Sequence, residues 1–313
     1  MRAPPVGVLI MAYGSAPSLD DEAIFGYLRH ILQHYRKIDP KREEFQHLKE
    51  RYQAIGGSPL YTITENIIRA VQSAFALRFP ERFRVYMAMK HSSPFIEDVV
   101  SRMAQDGVEQ GIAVALAPFR SRLSTDAYYR LVRETNTRLD EPILWSFVED
   151  WNLHPLFLQL WQNRIEEALH LHNQSPALIF TNHSLPAQIR EWKDPYPDQF
   201  EATAKALAEK CHLSKWTLAY QSEGGGNQPW LGPDLAAVLQ EWNGRGHERF
   251  LVAPIGFLMD HLETLYDLDV EAQSEATEMG VELSRTRMPN DDPLLVALLT
   301  DVIRKKCRMT NDE

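Results

Sequence analysis

Seven short apolar runs punctuate the chain, at residues 6–11, 83–89, 111–116, 143–148, 177–181, 216–220 and 250–254. Their length and their β-branched and aromatic content predict strands, and the near-absence of polar alternation in several of them predicts burial on both faces. Between the runs, apolar residues recur with a helical period over 20–33, 44–54, 63–79, 94–106, 124–137, 155–170, 200–211, 234–242 and 293–305. Strand and helix therefore alternate, the signature of parallel sheets covered by helices on both faces. Four strands precede about residue 150 and at least three follow. This predicts two similar α/β halves, 1–150 and 151–290, divided within 149–155, with a last helix in 291–313 crossing back onto the first half. Ligands of such folds bind beyond the carboxyl ends of the strands, so a cleft between the halves is the expected site.

Composition narrows the class. A formal charge of -10 over 313 residues argues against nucleic acid as the main partner, because phosphate binding needs concentrated Lys and Arg. Cys211 and Cys307 are the only cysteines, too few for a disulfide framework or a Cys-rich metal motif, which fits a reducing cytoplasm. The run at 6–11 is too short for a signal-peptide core or a membrane span, so no membrane insertion is expected.

One stretch breaks the ordinary mixture of charges. Residues 250–284 contain eight carboxylates and no Lys or Arg, and Glu263, Asp267 and Glu271 stand four apart. On an α-helix that spacing advances by roughly 40° per step, placing the three in a row on one face. The row is either a solvated acidic face or a set of hard oxygen ligands along which a divalent cation could bind or pass.

Polar residues also gather where strands should end. They are Tyr13, Gly14 and Ser15 after the first run, Lys90, His91 and Ser92 after the second, and His183 after the fifth. Gln221, Ser222 and Glu223 follow the sixth and lead to Trp230. His183 is the sharpest candidate, since a neutral imidazole both accepts a proton and coordinates a transition metal, although a strand-end histidine is also a common packing residue. With the acidic row and aromatic walls such as Tyr13 and Trp230, it suits a flat apolar ligand that must meet a metal. Gly224, Gly225 and Gly226 lack the spacing of a phosphate loop and read as a flexible loop. His261, two positions before Glu263, would point away from the row on a continuous helix and is left out of it.

Taken together, the motifs resemble the ferrochelatase family over nearly the whole chain. They are Leu9-Ile10-Met11-Ala12-Tyr13-Gly14, the stretch Tyr52 to Leu60, Met89-Lys90-His91-Ser92-Ser93-Pro94-Phe95, Asn182-His183-Ser184-Leu185-Pro186, Asp194-Pro195-Tyr196, Gln221-Ser222-Glu223-Gly224, Pro229-Trp230-Leu231-Gly232-Pro233 and Gly256-Phe257 onward to Asp267. The resemblance implies a chelatase-like α/β fold, two Rossmann-like doubly wound domains with a porphyrin cleft between them, and insertion of Fe2+ into a porphyrin. It implies His183 and Glu263 as the catalytic pair, with Asp267, Glu271 and Tyr13 joining them in handling metal. Tyr13, Arg29, Lys90, His91, Arg120, Ser124, Tyr128, Ser222 and Trp230 would bind substrate. Iron is then a substrate and no permanent cofactor is expected; a monomer is expected too.

The chain looks most like the Gram-positive type that uses coproporphyrin III. Protoporphyrin IX, a cobalt or nickel tetrapyrrole chelatase, and a porphyrin carrier without turnover are the alternatives. One departure bears on the substrate's propionates. Where that type carries an Arg pair, this chain reads His30-Ile31-Leu32-Gln33-His34-Tyr35-Arg36, which leaves Arg29, His34 or Arg36, and further on Arg120 and Arg122, as candidate cationic partners.

Overall fold

The computed structural model describes residues 4–225 and 228–309. Within it the chain divides into two compact units, Met1–Leu116 with Ser124–Glu149 and Asn290–Glu313, and Ala117–Leu123 with Asp150–Pro289.

In the first unit, β1 (Val6–Ala12) is followed by α1 (Asp21–Tyr35), α2 (Arg42–Ala54) and α3 (Leu60–Arg78). Then come β2 (Phe83–Met89), α4 (Ile96–Gln105), β3 (Gln110–Ala115), α5 (Thr125–Asn136) and β4 (Leu144–Val148). The strands form a parallel sheet in the order β2-β1-β3-β4. β1 lies inside it, which is why all seven of its residues are buried and its sequence shows no alternation. Leu9 and Met11 pack with Val99, Val100 and Met103 of α4 and Val132 of α5 in one apolar cluster.

The second unit repeats the plan. It contains α6 (Pro155–Leu169), β5 (Ala177–His183), α7 (Tyr196–Lys210), β6 (Trp216–Gln221), α8 (Leu235–Gly244) and β7 (Arg249–Ala253). α9 (Leu262–Leu265), α10 (Ala272–Met279) and β8 (Glu282–Arg285) follow. All four strands are parallel, in the order β6-β5-β7-β8. Ala177 and Ile179 join the cluster formed with α8 and α10, while the alternate residues Leu178 and Phe180 are equally buried. β5 is thus covered on both faces, and its uninterrupted apolar run follows from that. The first unit is completed by α11 (Pro293–Met309), which packs on α3, β3 and β4.

Residues 117–123 belong to the second unit although their neighbours on both sides belong to the first. Asp194, 4% exposed, accepts hydrogen bonds from the Ser121 hydroxyl (3.2 Å) and the Arg122 backbone N–H (2.8 Å). Gln199 accepts from the Arg120 N–H at 2.7 Å. A segment with its amides satisfied in this way stays with the side chains that satisfy them.

The acidic stretch departs from one regular helix. α9 lasts four residues and is followed by a π-turn, Asp267–Glu271, before α10 resumes. In it the Glu271 N–H bonds to the Tyr266 carbonyl at 2.9 Å, an i to i+5 step. β8 also lies outside the seven predicted strands. Leu283 is its only buried apolar residue, so it carries no apolar run.

Candidate active site

His183 ends β5, which lies between β6 and β7, and in the register it faces Gln221 at the end of β6. This is the carboxyl edge of the sheet at the strand where the order reverses, the place where open α/β sheets present ligand-binding groups. Its backbone is held on both sides. Its N–H donates to Asn182 Oδ1 at 2.9 Å, and its carbonyl lies 2.9 Å from the hydroxyl of Tyr196, which is itself 2.8 Å from Asn182 Oδ1. Tyr196 stands at the start of α7, 5% exposed, and burial raises its pKa well above the ordinary phenol value, so its hydroxyl keeps the proton it donates here. After β7 the chain passes so close that a methyl group on Gly256 would sit 1.8 Å from Asn182 Oδ1, which explains glycine there.

The His183 ring has a defined tautomer. Nδ1 contacts the Ser184 carbonyl, an acceptor only, and so carries the hydrogen. In the neutral ring Nε2 then holds the lone pair, and it faces Glu263 Oε1 at 3.5 Å. Burial pulls the imidazole pKa down, but the charge and hydrogen bonding of Glu263, the Ser184 carbonyl and the charge of Asp267 outweigh it, leaving a net rise above 6.5. Nε2 can therefore take a proton and pass it to an adjacent carboxylate.

Glu263 is placed by its backbone. Its N–H donates to Nδ1 of His261, the N-cap of α9, at 3.0 Å, and its carbonyl accepts from Gln221 Nε2 at 3.0 Å. Gln221 in turn accepts from the Thr181 hydroxyl at 2.6 Å. His261, with its pKa lowered chiefly by burial, remains the acceptor this cap requires. Ser222, in the left-handed region at φ 57°, donates to Asp267 Oδ2 at 2.5 Å. Burial varies along the row, with Glu263 half-buried, Asp267 buried and Glu271 exposed.

The π-turn corrects the expected geometry of that row. In an α-helix a residue four positions on overshoots a full turn by roughly 40°. Hydrogen bonds from i to i+5 place more residues in a turn, so the step from Asp267 to Glu271 loses that overshoot. His261 also differs from expectation, because as an extended N-cap, φ -156°, it lies outside the helix and touches the Glu263 amide. The stretch is not wholly without counter-charge either. Arg285 in β8, just past its end, binds Asp269 through two bonds of 2.6 and 2.7 Å and Asp260 at 3.0 Å.

In the first unit a second polar cluster forms at the ends of β1 and β2. Lys90, 2% exposed, donates to the Tyr35 hydroxyl at 2.7 Å, and its ammonium lies 4.9 Å from the Tyr35 ring centroid and 5.3 Å from that of Tyr128. Burial, assisted by the charge of Arg130, lowers its pKa to about 8. His91 is bonded through Nδ1 to Nδ1 of His30 at 3.1 Å, and the His34 and Tyr13 rings lie 5.1 and 4.6 Å from it. Burial first, then Lys90, brings His91 down to about 2 and His34 to about 4, so these rings stay neutral around one cation, each with one donor and one acceptor nitrogen.

The structure brings only some of the expected residues into these two groups. His183, Glu263, Asp267 and Ser222 converge in the second unit, and Tyr13, Lys90, His91 and Tyr128 in the first. Arg29 is exposed on α1 and paired with Asp39 at 2.9 Å, while His30, His34 and Tyr35 of the same helix reach the cluster. Ser124 is the N-cap of α5. Arg120 and Arg122 lie in the 117–123 excursion, anchored by their amides. Trp230 packs on Gly224, where a methyl group would meet its ring at 2.5 Å, and its loop is tied to the segment after His183 by the Leu231 N–H to the Leu185 carbonyl, 2.8 Å. Gly226 lies outside the described residues. Gln221, Tyr196, His261 and Arg285 carry much of the positioning; for Gln221, Tyr196 and Arg285 the partners are distant in sequence, whereas His261 acts locally as the cap of α9. Among the described residues no group of three or more His, Cys, Asp or Glu is arranged as a ready metal cage.

Two parallel sheets of equivalent strand order, with polar groups at the carboxyl edge of each, define a chelatase-type α/β protein. Solved structures agree on this fold. SirB from Bacillus subtilis with Fe3+ aligns with a TM-score of 0.62 at 9% identity, over 99% of this chain and 98% of that one. CbiX, from siroheme biosynthesis in denitrifying bacteria, aligns with a TM-score of 0.55 at 12% identity, over 96% and 98%. The Ferrochelatase family pattern matches residues 5–307, and the chain belongs to the ferrochelatase family of enzymes. It is 38% identical over 308 residues to the ferrochelatase of Herpetosiphon aurantiacus, covering 95% of this chain and 97% of the relative. It is 38% identical to the coproporphyrin III ferrochelatase of Geobacillus thermodenitrificans over 320 residues, 100% and 99% of the two chains. With that of Listeria monocytogenes the identity is 39% over 311 residues, 96% and 98%. Among the described residues no helix is long and apolar enough to cross a membrane.

Proposed function

We propose that the chain inserts ferrous iron into coproporphyrin III, with His183 and Glu263 as the catalytic pair. The observation that carries this reading is the His183 Nε2 lone pair held 3.5 Å from Glu263 Oε1, at the end of β5. Full-length similarity to coproporphyrin III ferrochelatases supports the choice of porphyrin.

The reaction requires a base. A porphyrin that receives Fe2+ loses two N–H protons, and the four nitrogens of the resulting dianion take the metal in their place. Nε2 of His183 accepts a macrocycle proton and hands it to the neighbouring Glu263 carboxylate, which regenerates the neutral ring for the second proton. Asp267 and the exposed Glu271 carry protons outward and hold Fe2+ loosely on its way in, since carboxylates bind iron without the permanence of thiolates. Lys90 and the histidines around it, together with Tyr13, Tyr128 and Trp230, bind the macrocycle and its carboxylates, with Arg120 and Arg122 as further propionate partners. The enzyme works as a cytoplasmic monomer without nucleic acid, in keeping with its net charge of -10 and its two free cysteines.

The test is anaerobic mixing of the protein with Fe2+ and either coproporphyrin III or protoporphyrin IX, followed by absorbance of the metallated product. Faster turnover of coproporphyrin III is expected, and a His183→Ala variant should bind porphyrin and fail to metallate it. Normal iron insertion by that variant would refute the catalytic assignment, and preference for protoporphyrin IX would refute the choice of substrate.

A further inference from the structure

The eight carboxylates of residues 250–284 are not equivalent, and Arg285 is what separates them. Its guanidinium, 16% exposed, forks onto both oxygens of Asp269 inside the π-turn and reaches Asp260 just before the N-cap of α9. A fourth bond, 3.1 Å to the Thr286 carbonyl, fixes the side chain against the residue that follows β8. Bidentate pairing with a planar fork is directional, and carboxylate oxygens engaged in it are poor competitors for a passing metal ion. Asp260 and Asp269 flank Glu263 and Asp267 in sequence and would otherwise add two hard ligands and two charges beside them.

We infer that Arg285 is a positioning residue that withdraws Asp260 and Asp269 from the acidic set, leaving Glu263, Asp267 and Glu271 to handle the metal. The inference rests on the proposed role of that row. Arg285 acts by limiting the field: the row attracts a divalent ion strongly enough to collect it and weakly enough to release it. Without the guanidinium the segment gains one net negative charge, and Asp269 loses its forked partner and becomes an alternative resting place.

The sign of the effect distinguishes this role from a structural tie. One unit charge about 10 Å from a divalent ion, screened as in water, changes its binding about fourfold. Co2+ binding in the absence of porphyrin, measured by equilibrium dialysis, reads the metal step without requiring turnover, so it stands even if the chosen porphyrin is wrong. Arg285→Gln should tighten Co2+ about fourfold and slow iron insertion, with KM for porphyrin unchanged. Asp269→Asn should weaken Co2+ by a similar factor, and the double variant, which restores the net charge, should return to within about twofold of wild type. If Arg285→Gln does not fold, Asp269→Asn and Arg285→Lys carry the test, the lysine variant falling between wild type and Arg285→Gln in Co2+ affinity because it keeps the charge and loses the fork. Affinities that fall in every variant, or that do not move at all, would overturn the inference.

Discussion

Lys90 offers the most quantitative test of the described geometry. It is 2% exposed, and burial lowers its pKa to about 8 from the ordinary lysine value of 10.5. At 1.36 kcal/mol per pKa unit, that gap of 2.5 corresponds to about 3 kcal/mol of charge burial. Below pH 8 lysine is protonated in both folded and unfolded chains, and the folded state bears the whole cost. Between about 8 and 10.5 the unfolded chain binds more protons, so stability rises with pH until the cost is gone. Lys90→Met keeps the length of the side chain without the charge, and the Tyr35 hydroxyl, on a side chain half open to solvent, can turn to water. The variant should exceed wild type in stability by about 3 kcal/mol at pH 7, and this advantage should shrink away by about pH 10.5. Urea unfolding of both proteins from pH 6.5 to 10.5 measures it, because titrations shared by the two cancel in the difference. A stability difference that stays constant over that range would refute the reasoning.

Two other variants probe the second unit. Gly256→Ala would force a methyl group to within 1.8 Å of Asn182 Oδ1, which Tyr196 and the His183 amide hold in place; a loss of about 1–3 kcal/mol in thermal unfolding is expected, and a wild-type melting curve would contradict the packing. His183 should titrate above 6.5 by NMR, and Glu263→Gln should lower that midpoint; the pair's contribution to stability is full below the unfolded value near 6.5 and fades as pH rises through the folded one. A His183 midpoint indifferent to Glu263 would place their interaction elsewhere.

The elements were legible where the chain is buried on two sides. β1 gives seven buried residues to a sheet interior and β5 six, so the run is apolar throughout β1 and over 177–180 in β5, whereas β8 gives one buried apolar residue and leaves no pattern. The π-turn was hidden for a different reason. Its i to i+5 bonding leaves apolar spacing too close to helical to separate by eye, and the four-residue spacing of the carboxylates fits either geometry. His183 and Glu263 stand 80 positions apart, and their approach depends on β7 lying next to β5, a neighbour relation that composition does not encode. For Gln221, Tyr196 and Arg285 the residue type says only that a donor is present. Which acceptor it meets is decided by the completed sheet.

The discontinuity of the first unit bears on how the protein is made. β4 ends at Val148, and the helix that covers β3, β4 and α3 begins only at Pro293. At 5–20 residues per second, the ribosome leaves that surface bare for on the order of 10 s while the whole of residues 150–289 emerges. Leu295, Leu298, Leu299 and Ile303 of α11, each 0% exposed in the finished fold, are the cover, and they arrive after the second unit. The flank of the first unit therefore stays uncovered until the whole second unit has been made, an apolar surface that nascent-chain chaperones are suited to shield.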